Sequence, residues 1–289
     1  MFRKFLSLVV MTLTVGLVQA KTPIEIILPF NPGGNATVMA EIIKVHFEKT
    51  NNYAVDVKFA GNCVNAKRMI NQQKTSNVMT IWLATWNKIG DHCEYPVTSS
   101  EFSSVLYSGP QYICGREKSI NNYNRQVLRV GTTVDGFQLT QQLLKELGSA
   151  LGMNFSAVSY DNNAGTEQGF VSKEVDMVFS TGGLTIEKNF GGTCYFTTAT
   201  VPVSNAVPFT SIAALSANPA PHHTRAQVMY VSTLVSDQQL KKQLDVLLQS
   251  LTNSQEFIAV IRQRNFVPII GTQSEKYQFL TKIVNNLNQ

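Results

Sequence analysis

Beyond its first 20 residues the chain has no apolar run long enough to cross a bilayer, which takes about 20 consecutive apolar residues. Charge is also scarce, at 15% of 289 positions, and no group of Lys and Arg is interleaved with aromatics as a nucleic-acid surface requires. The four histidines (His46, His92, His222, His223) form no H-E-x-x-H motif, and the four cysteines (Cys63, Cys93, Cys114, Cys194) no spacing that suits zinc. G-x-S-x-G, P-loop and paired-carboxylate motifs are missing as well. These absences weigh against catalysis, a cofactor or a nucleic-acid partner. Asp135 with Asp161 is the best acid/base pair the chain offers.

What is present starts with an export signal. Phe2-Arg3-Lys4 supply a basic start, residues 5–18 an uncharged apolar stretch, and Val18-Gln19-Ala20 a small-residue cleavage site. The mature chain is expected to begin at Lys21, with a formal charge that falls from +5 to +3 as Arg3 and Lys4 leave. Export makes disulfides accessible, and four cysteines allow three complete pairings.

The mature sequence opens on a strand at 24–30, a Gly33-Gly34 turn and a helix at 37–49, followed by a period-two strand through Tyr53, Val55, Val57 and Phe59. A helix over 65–72 and a buried strand over 78–85 continue this β-α-β pattern. Parallel sheets of this kind bind ligands at the carboxyl ends of their strands, so the loops at 31–35, 60–62 and 84–87 should converge. A helix N-terminus at Gly33-Gly34 would turn backbone N–H groups toward an anionic or polar ligand.

The pattern then repeats after strands at 104–107 and 111–114. A strand at 127–130 enters the turn Gly131-Thr132-Thr133-Val134-Asp135 and a helix carrying Leu139, Leu143, Leu144 and Leu147. Thr132 and Asp135 have the spacing of a capping box. Strands at 155–160, 175–179, 194–201 and 228–233 follow, with Ser236-Asp237 capping a helix and further helices at 254–263 and 274–287.

In order and spacing the chain resembles the extracytoplasmic receptors of tripartite tricarboxylate transporters, the Bug family. The likeness is carried by Ile27-Leu28-Pro29-Phe30 ahead of Gly33-Gly34, Ser108-Gly109-Pro110, Phe155-Ser156-Ala157-Val158-Ser159-Tyr160 ahead of a polar turn, and Val175-Asp176-Met177-Val178-Phe179. It implies an α/β, two-lobed type II periplasmic-binding-protein fold, each lobe an open, mostly parallel sheet flanked by helices, joined by a hinge. Residues 1–20 would be the signal peptide, 21–107 and 231–289 the first lobe, and 108–230 the second.

The implied role is a periplasmic, monomeric, non-enzymatic receptor that captures a small polar solute, a carboxylate or an amino acid, and delivers it to membrane permease subunits. A sensor presenting its closed form to a membrane partner, or a transferase on the same fold, are the alternatives. Carried over by position, Phe30, Asn31, Gly33, Gly34 and Asn35 form the first wall, with Ala84 and Thr85 beneath. Thr132, Thr133, Val134 and Asp135 face them, with Tyr160, Ser180 and Thr181 beside. The second-lobe turn departs from the family pattern in Asp135, an acid that competes with a bound carboxylate and favours an amino group. The same resemblance pairs Cys63 with Cys93 and Cys114 with Cys194, so that neither bridge crosses the hinge.

Overall fold

Alternate residues of the first strand divide the protein into layers. In the computed structural model, which describes residues 21–50, 52–73, 79–86, 99–133, 137–224 and 226–286, β1 (Thr22–Leu28) lies between β2 (Tyr53–Phe59) and β3 (Met79–Trp86), parallel to both. Ile24, Ile26 and Leu28 pack against Met39, Ile43 and Phe47 of α1 (Gly34–Glu48) and Leu244 and Leu248 of α7 (Gln238–Thr252). Ile27 joins the other face, with Ala66 and Ile70 of α2 (Cys63–Gln73) and Leu280 of α9 (Gln273–Asn286). A strand covered on both faces accounts for its near-continuous apolar run.

Three strands from later in the chain complete this sheet. β4 (Phe102–Pro110) and β11 (Ala226–Leu234) add to the β3 edge, and β12 (Val267–Pro268) closes it, in the order β12-β4-β11-β3-β1-β2. β11 runs antiparallel to both neighbours. The expected lobe boundaries, after 107 and after 230, fall inside β4 and β11, and these two strands are adjacent in the first sheet along the whole length of β4.

The second sheet repeats the plan. β6 (Leu128–Thr133) pairs in parallel with β7 (Phe155–Tyr160) and β8 (Met177–Ser180). β5 (Tyr112–Gly115) runs antiparallel to β8 and to β9 (Thr193–Thr197), and β10 (Val207–Pro208) ends the order β10-β9-β5-β8-β6-β7. Leu143, Leu144 and Leu147 of α3 (Phe137–Leu151) cover Leu128 and Val130 on one face. Phe170 of α4 (Asn163–Val171) packs with Val175 and Val178 on the other. The chain passes from the first sheet to the second at Gln111 and returns ahead of β11. Two mixed sheets flanked by helices make the expected two-lobed α/β fold. Among the described residues no helix is long and apolar enough to cross a membrane.

The cap read from the sequence is in place, where Asp237 Oδ1 accepts the N–H groups of Gln239 and Leu240; Ser254 Oγ caps the next helix by accepting the N–H of Phe257. Cys114 and Cys194 form the disulfide that joins β5 to β9 within the second sheet. Cys63 is also disulfide-bonded, while Cys93 lies outside the described residues, as does the 1–20 segment.

Three local expectations need correction. Helix α1 starts three residues earlier than its apolar stripe suggested, because Gly33 and Gly34 adopt φ of 108° and 73° and turn the chain directly into it. Thr132 caps no helix: it lies inside β6, which runs on to Thr133, and Thr132 Oγ1 shares a hydrogen bond with Thr140 Oγ1 at 3.2 Å. The strand expected over 194–201 ends at Thr197, where the next residue turns to bond Gln111: Thr198 N–H donates to its carbonyl at 2.9 Å and Thr198 Oγ1 accepts its N–H at 2.8 Å.

Candidate functional site

The carboxyl ends of β1, β6 and β7 open on one cleft between the sheets. From the first lobe Phe30, Gly33, Gly34, Asn35 and Ala36 line it, with Tyr107 of β4 and Gln227 and Met229 of β11; the second lobe contributes Thr133, Asp161, Asn162 and Asn163. The cavity within the cleft is small, about 40 Å³.

The amino ends of two helices meet here, one from each lobe, and they differ in how their first-turn N–H groups are satisfied. At α1, Thr37 Oγ1 accepts the Gly33 N–H at 2.8 Å and donates to the Gly33 carbonyl at 2.9 Å. This loop holds the glycine turn, but no side chain caps the helix that follows, so its first amides have no side-chain acceptor, and Gly34, Asn35 and Ala36, which carry them, line the cleft. At α4, by contrast, Asn162 Oδ1 accepts the Gly165 N–H at 2.8 Å and fills the cap.

Two hydrogen bonds join the lobes across the cleft. Asn31 Nδ2 donates to Asp161 Oδ2 at 3.0 Å, and Asn162 Nδ2 donates to the Pro32 carbonyl at 3.3 Å. Lys188 of α5 (Gly183–Phe190) adds a longer contact, 3.5 Å, to Asn265 Oδ1 beyond α8 (Gln255–Gln263). Behind the first wall, Arg264 Nη1 donates to Asn35 Oδ1 at 3.2 Å, so the amide N–H₂ of Asn35 is the group left to offer the cleft. Burial pushes the Tyr107 phenol well above its ordinary range and keeps it neutral.

Of the residues carried over by position, Phe30, Gly33, Gly34, Asn35 and Thr133 line the cavity, and Asn31 bridges it. Thr132, Ser180 and Thr181 are buried behind the wall. Ser180 Oγ accepts the Gly182 N–H at 2.9 Å, and Thr181 Oγ1 accepts from Asn163 Nδ2 at 3.2 Å, orienting a residue that does line the cleft. The Tyr160 ring packs over Gly131, Gly165 and Gly169, and burial, with Glu174 beside it, pushes its phenol up to about 12. Ala84 and Thr85 pair with Tyr230 and Met229 across β3 and β11, which sets them next to the cavity-lining Met229. Val134 and Asp135 lie outside the described residues.

Ala36, Tyr107, Asn162, Asn163, Gln227 and Met229 were missed. Asn162 and Asn163 had a usable signal: Asp161-Asn162-Asn163 follows β7 as Asn31-Pro32-Gly33 follows β1, a polar turn at the same point of each lobe. Asp161, expected as an acid/base partner for Asp135, lines the cavity as well.

A second cluster lies apart from this cleft. Glu146 Oε2 receives His222 Nε2 at 2.9 Å and His223 Nε2 at 2.6 Å, and the three ligand-type atoms lie within 4.8 Å of one another. Burial alone would raise the Glu146 carboxyl, but hydrogen bonds from His223, His222 and Gln142 outweigh it and hold the group below its ordinary value. The Ala220 N–H donates to His223 Nδ1 at 3.2 Å, which places the ring proton on Nε2. A metal at Nε2 would have to reverse that tautomer. The trio is thus built as a hydrogen-bonded anchor, fastening the 221–224 turn to α3.

No protein-family model matches the chain, and no curated protein matches it by sequence. Solved structures do. A structure described as the periplasmic binding protein BugD superposes with a TM-score of 0.68 at 17% identity, over 93% of this chain and 95% of that one. Rpa4515 of R. palustris with adipate gives 0.68 at 12% identity over 92% and 94%. MatC of Rhodopseudomonas palustris with bound malate gives 0.67 at 13% identity over 93% and 97%. The chain therefore has, over nearly its whole length, the two-lobed fold of the Bug-type periplasmic binding proteins.

Proposed function

We propose that this protein is an exported, periplasmic solute receptor that closes its two lobes on a small polar solute, a carboxylate or an amino acid, and hands it to the permease subunits of a tripartite tricarboxylate-type transporter. The observation that carries this reading is the convergence of α1 and α4, from separate lobes, on one cavity at the carboxyl ends of both sheets. A solute that touches both walls stabilises the closed arrangement over the open one by its differential contacts, without chemistry. Phe30, Gly33, Gly34, Asn35 and Thr133 are the contact residues, with Asn31 at the rim and Thr132, Ser180 and Thr181 shaping the wall from behind. Likeness to a structure described as a periplasmic binding protein, and to two others holding adipate or malate, supports a receptor over an enzyme.

The test is a thermal-shift screen of the mature chain, disulfides intact, against dicarboxylates, tricarboxylates, amino acids and nicotinate-like acids and amides. A ligand that binds only the folded state raises the melting temperature with dose. A response confined to one class supports the receptor and names its solute, whereas turnover of any of these compounds would contradict it.

A further inference from the structure

We infer that the solute is zwitterionic: Asp161 selects a primary ammonium group, while the amides at the start of α1 hold the same molecule's carboxylate. This deepens the receptor reading and rests on it.

The cleft is asymmetric in charge. Its first-lobe wall offers the uncapped amino end of the fifteen-residue helix α1 and the Asn35 amide, which favour an anion. Its second-lobe wall offers a helix end already capped by Asn162 and, directly ahead of it, the Asp161 carboxylate. Among the described residues that line the cavity, Asp161 carries the one carboxylate and none is Lys or Arg. A dicarboxylate lying across this cleft would set its second anion against Asp161, with no Lys or Arg among the described lining residues to offset it and the Arg264 guanidinium behind the opposite wall. An ammonium there meets an opposite charge instead.

Asp161 is also positioned for that contact. Asn31 Nδ2 donates to its Oδ2 at 3.0 Å from the opposite lobe, which holds the carboxylate over the cleft. One such bond leaves most of a carboxylate's acceptor capacity for an ammonium donor. The two ends of a zwitterion would thus bind different lobes, so that its own dipole spans the closure.

Calorimetric titration of the mature protein with matched pairs at neutral pH decides the question: aspartate against succinate, glutamate against glutarate, alanine against propionate. At least one amino member should bind about tenfold or more tightly than its partner, a gap of roughly 1.4 kcal/mol. Asp161→Asn and Asp161→Ser should bring the two members of that pair within about twofold. Glu256→Gln, which removes an exposed carboxylate from the first turn of α8 that does not line the cavity, should retain the preference. Equal or tighter binding of the deaminated members, or a preference that survives both Asp161 variants, overturns this inference and leaves the receptor reading standing. Silence across all pairs overturns this inference, and silence across the whole thermal-shift panel overturns the receptor reading with it.

Discussion

Asn31 and Asp161, 130 residues apart in the chain, meet across the cleft in a 3.0 Å hydrogen bond that ties one lobe to the other. With the Asn162 to Pro32 bond beside it, this contact must break for the lobes to separate. An exposed bond to a charged acceptor is worth about 0.5–1.5 kcal/mol net. Asn31→Ala should therefore shift ligand-free molecules toward the open form several-fold. Small-angle scattering should show a larger radius of gyration for the variant; an identical radius would show that this bond does not hold the lobes together.

Gly33 has φ 108° and ψ 167° at the entry to α1, a region that residues with a side chain adopt at a cost of about 1–3 kcal/mol. Space is available, since an added Cβ would meet Ala164 Cβ at an ordinary 3.8 Å. Gly33→Ala should thus destabilise the fold by strain of that size and weaken ligand binding by turning the first amides of α1. Urea unfolding and titration of one variant check both effects.

The fully buried Lys276 ammonium donates to Thr252 Oγ1 at 2.6 Å, Asn253 Oδ1 at 3.2 Å and Ser104 Oγ at 3.4 Å, with no carboxylate among these partners. Burial lowers its pKa from 10.5 to about 8. Between those values the unfolded chain binds more protons than the folded one, so this group makes stability rise with pH across that window. Lys276→Met should abolish its share of the rise between pH 7.5 and 9.5, measured as the difference between the two proteins. Buried tyrosines such as Tyr112, pushed up to about 12, act with the opposite sign above pH 10, which is why the comparison stops short of it.

Cys114 and Cys194 close a span of 80 residues. Replacing both with Ser should lower unfolding free energy by about 2–4 kcal/mol. Because the bridge lies wholly within the second sheet, affinity for the solute should change little at temperatures where the variant is folded. A large loss of affinity in the folded variant would show that the bridge shapes the cleft.

Much of this fold was legible because each sheet is built from local β-α-β units whose apolar periods are strong, as in Tyr53 and Val55 of β2 or Leu143 and Leu147 of α3. The turn at Gly33-Gly34 was legible for the same reason, since strand, glycine pair and helix are contiguous. Tyr107, Gln227 and Met229 were not, because β4 and β11 reach the cleft through antiparallel pairing between segments more than 100 residues apart. Thr132 misled because a Thr-x-x-Asp spacing resembles a cap wherever it falls. Hydrogen bonding to Thr140 from inside β6 is a tertiary fact that no spacing reveals.

The most direct test of a solute held between the lobes is hydrogen–deuterium exchange with and without a compound that raises the melting temperature. Amides at 33–36 and at 161–165 should slow together, in one concentration-dependent step. Protection of one loop alone, or of a surface outside the cleft, would contradict the account.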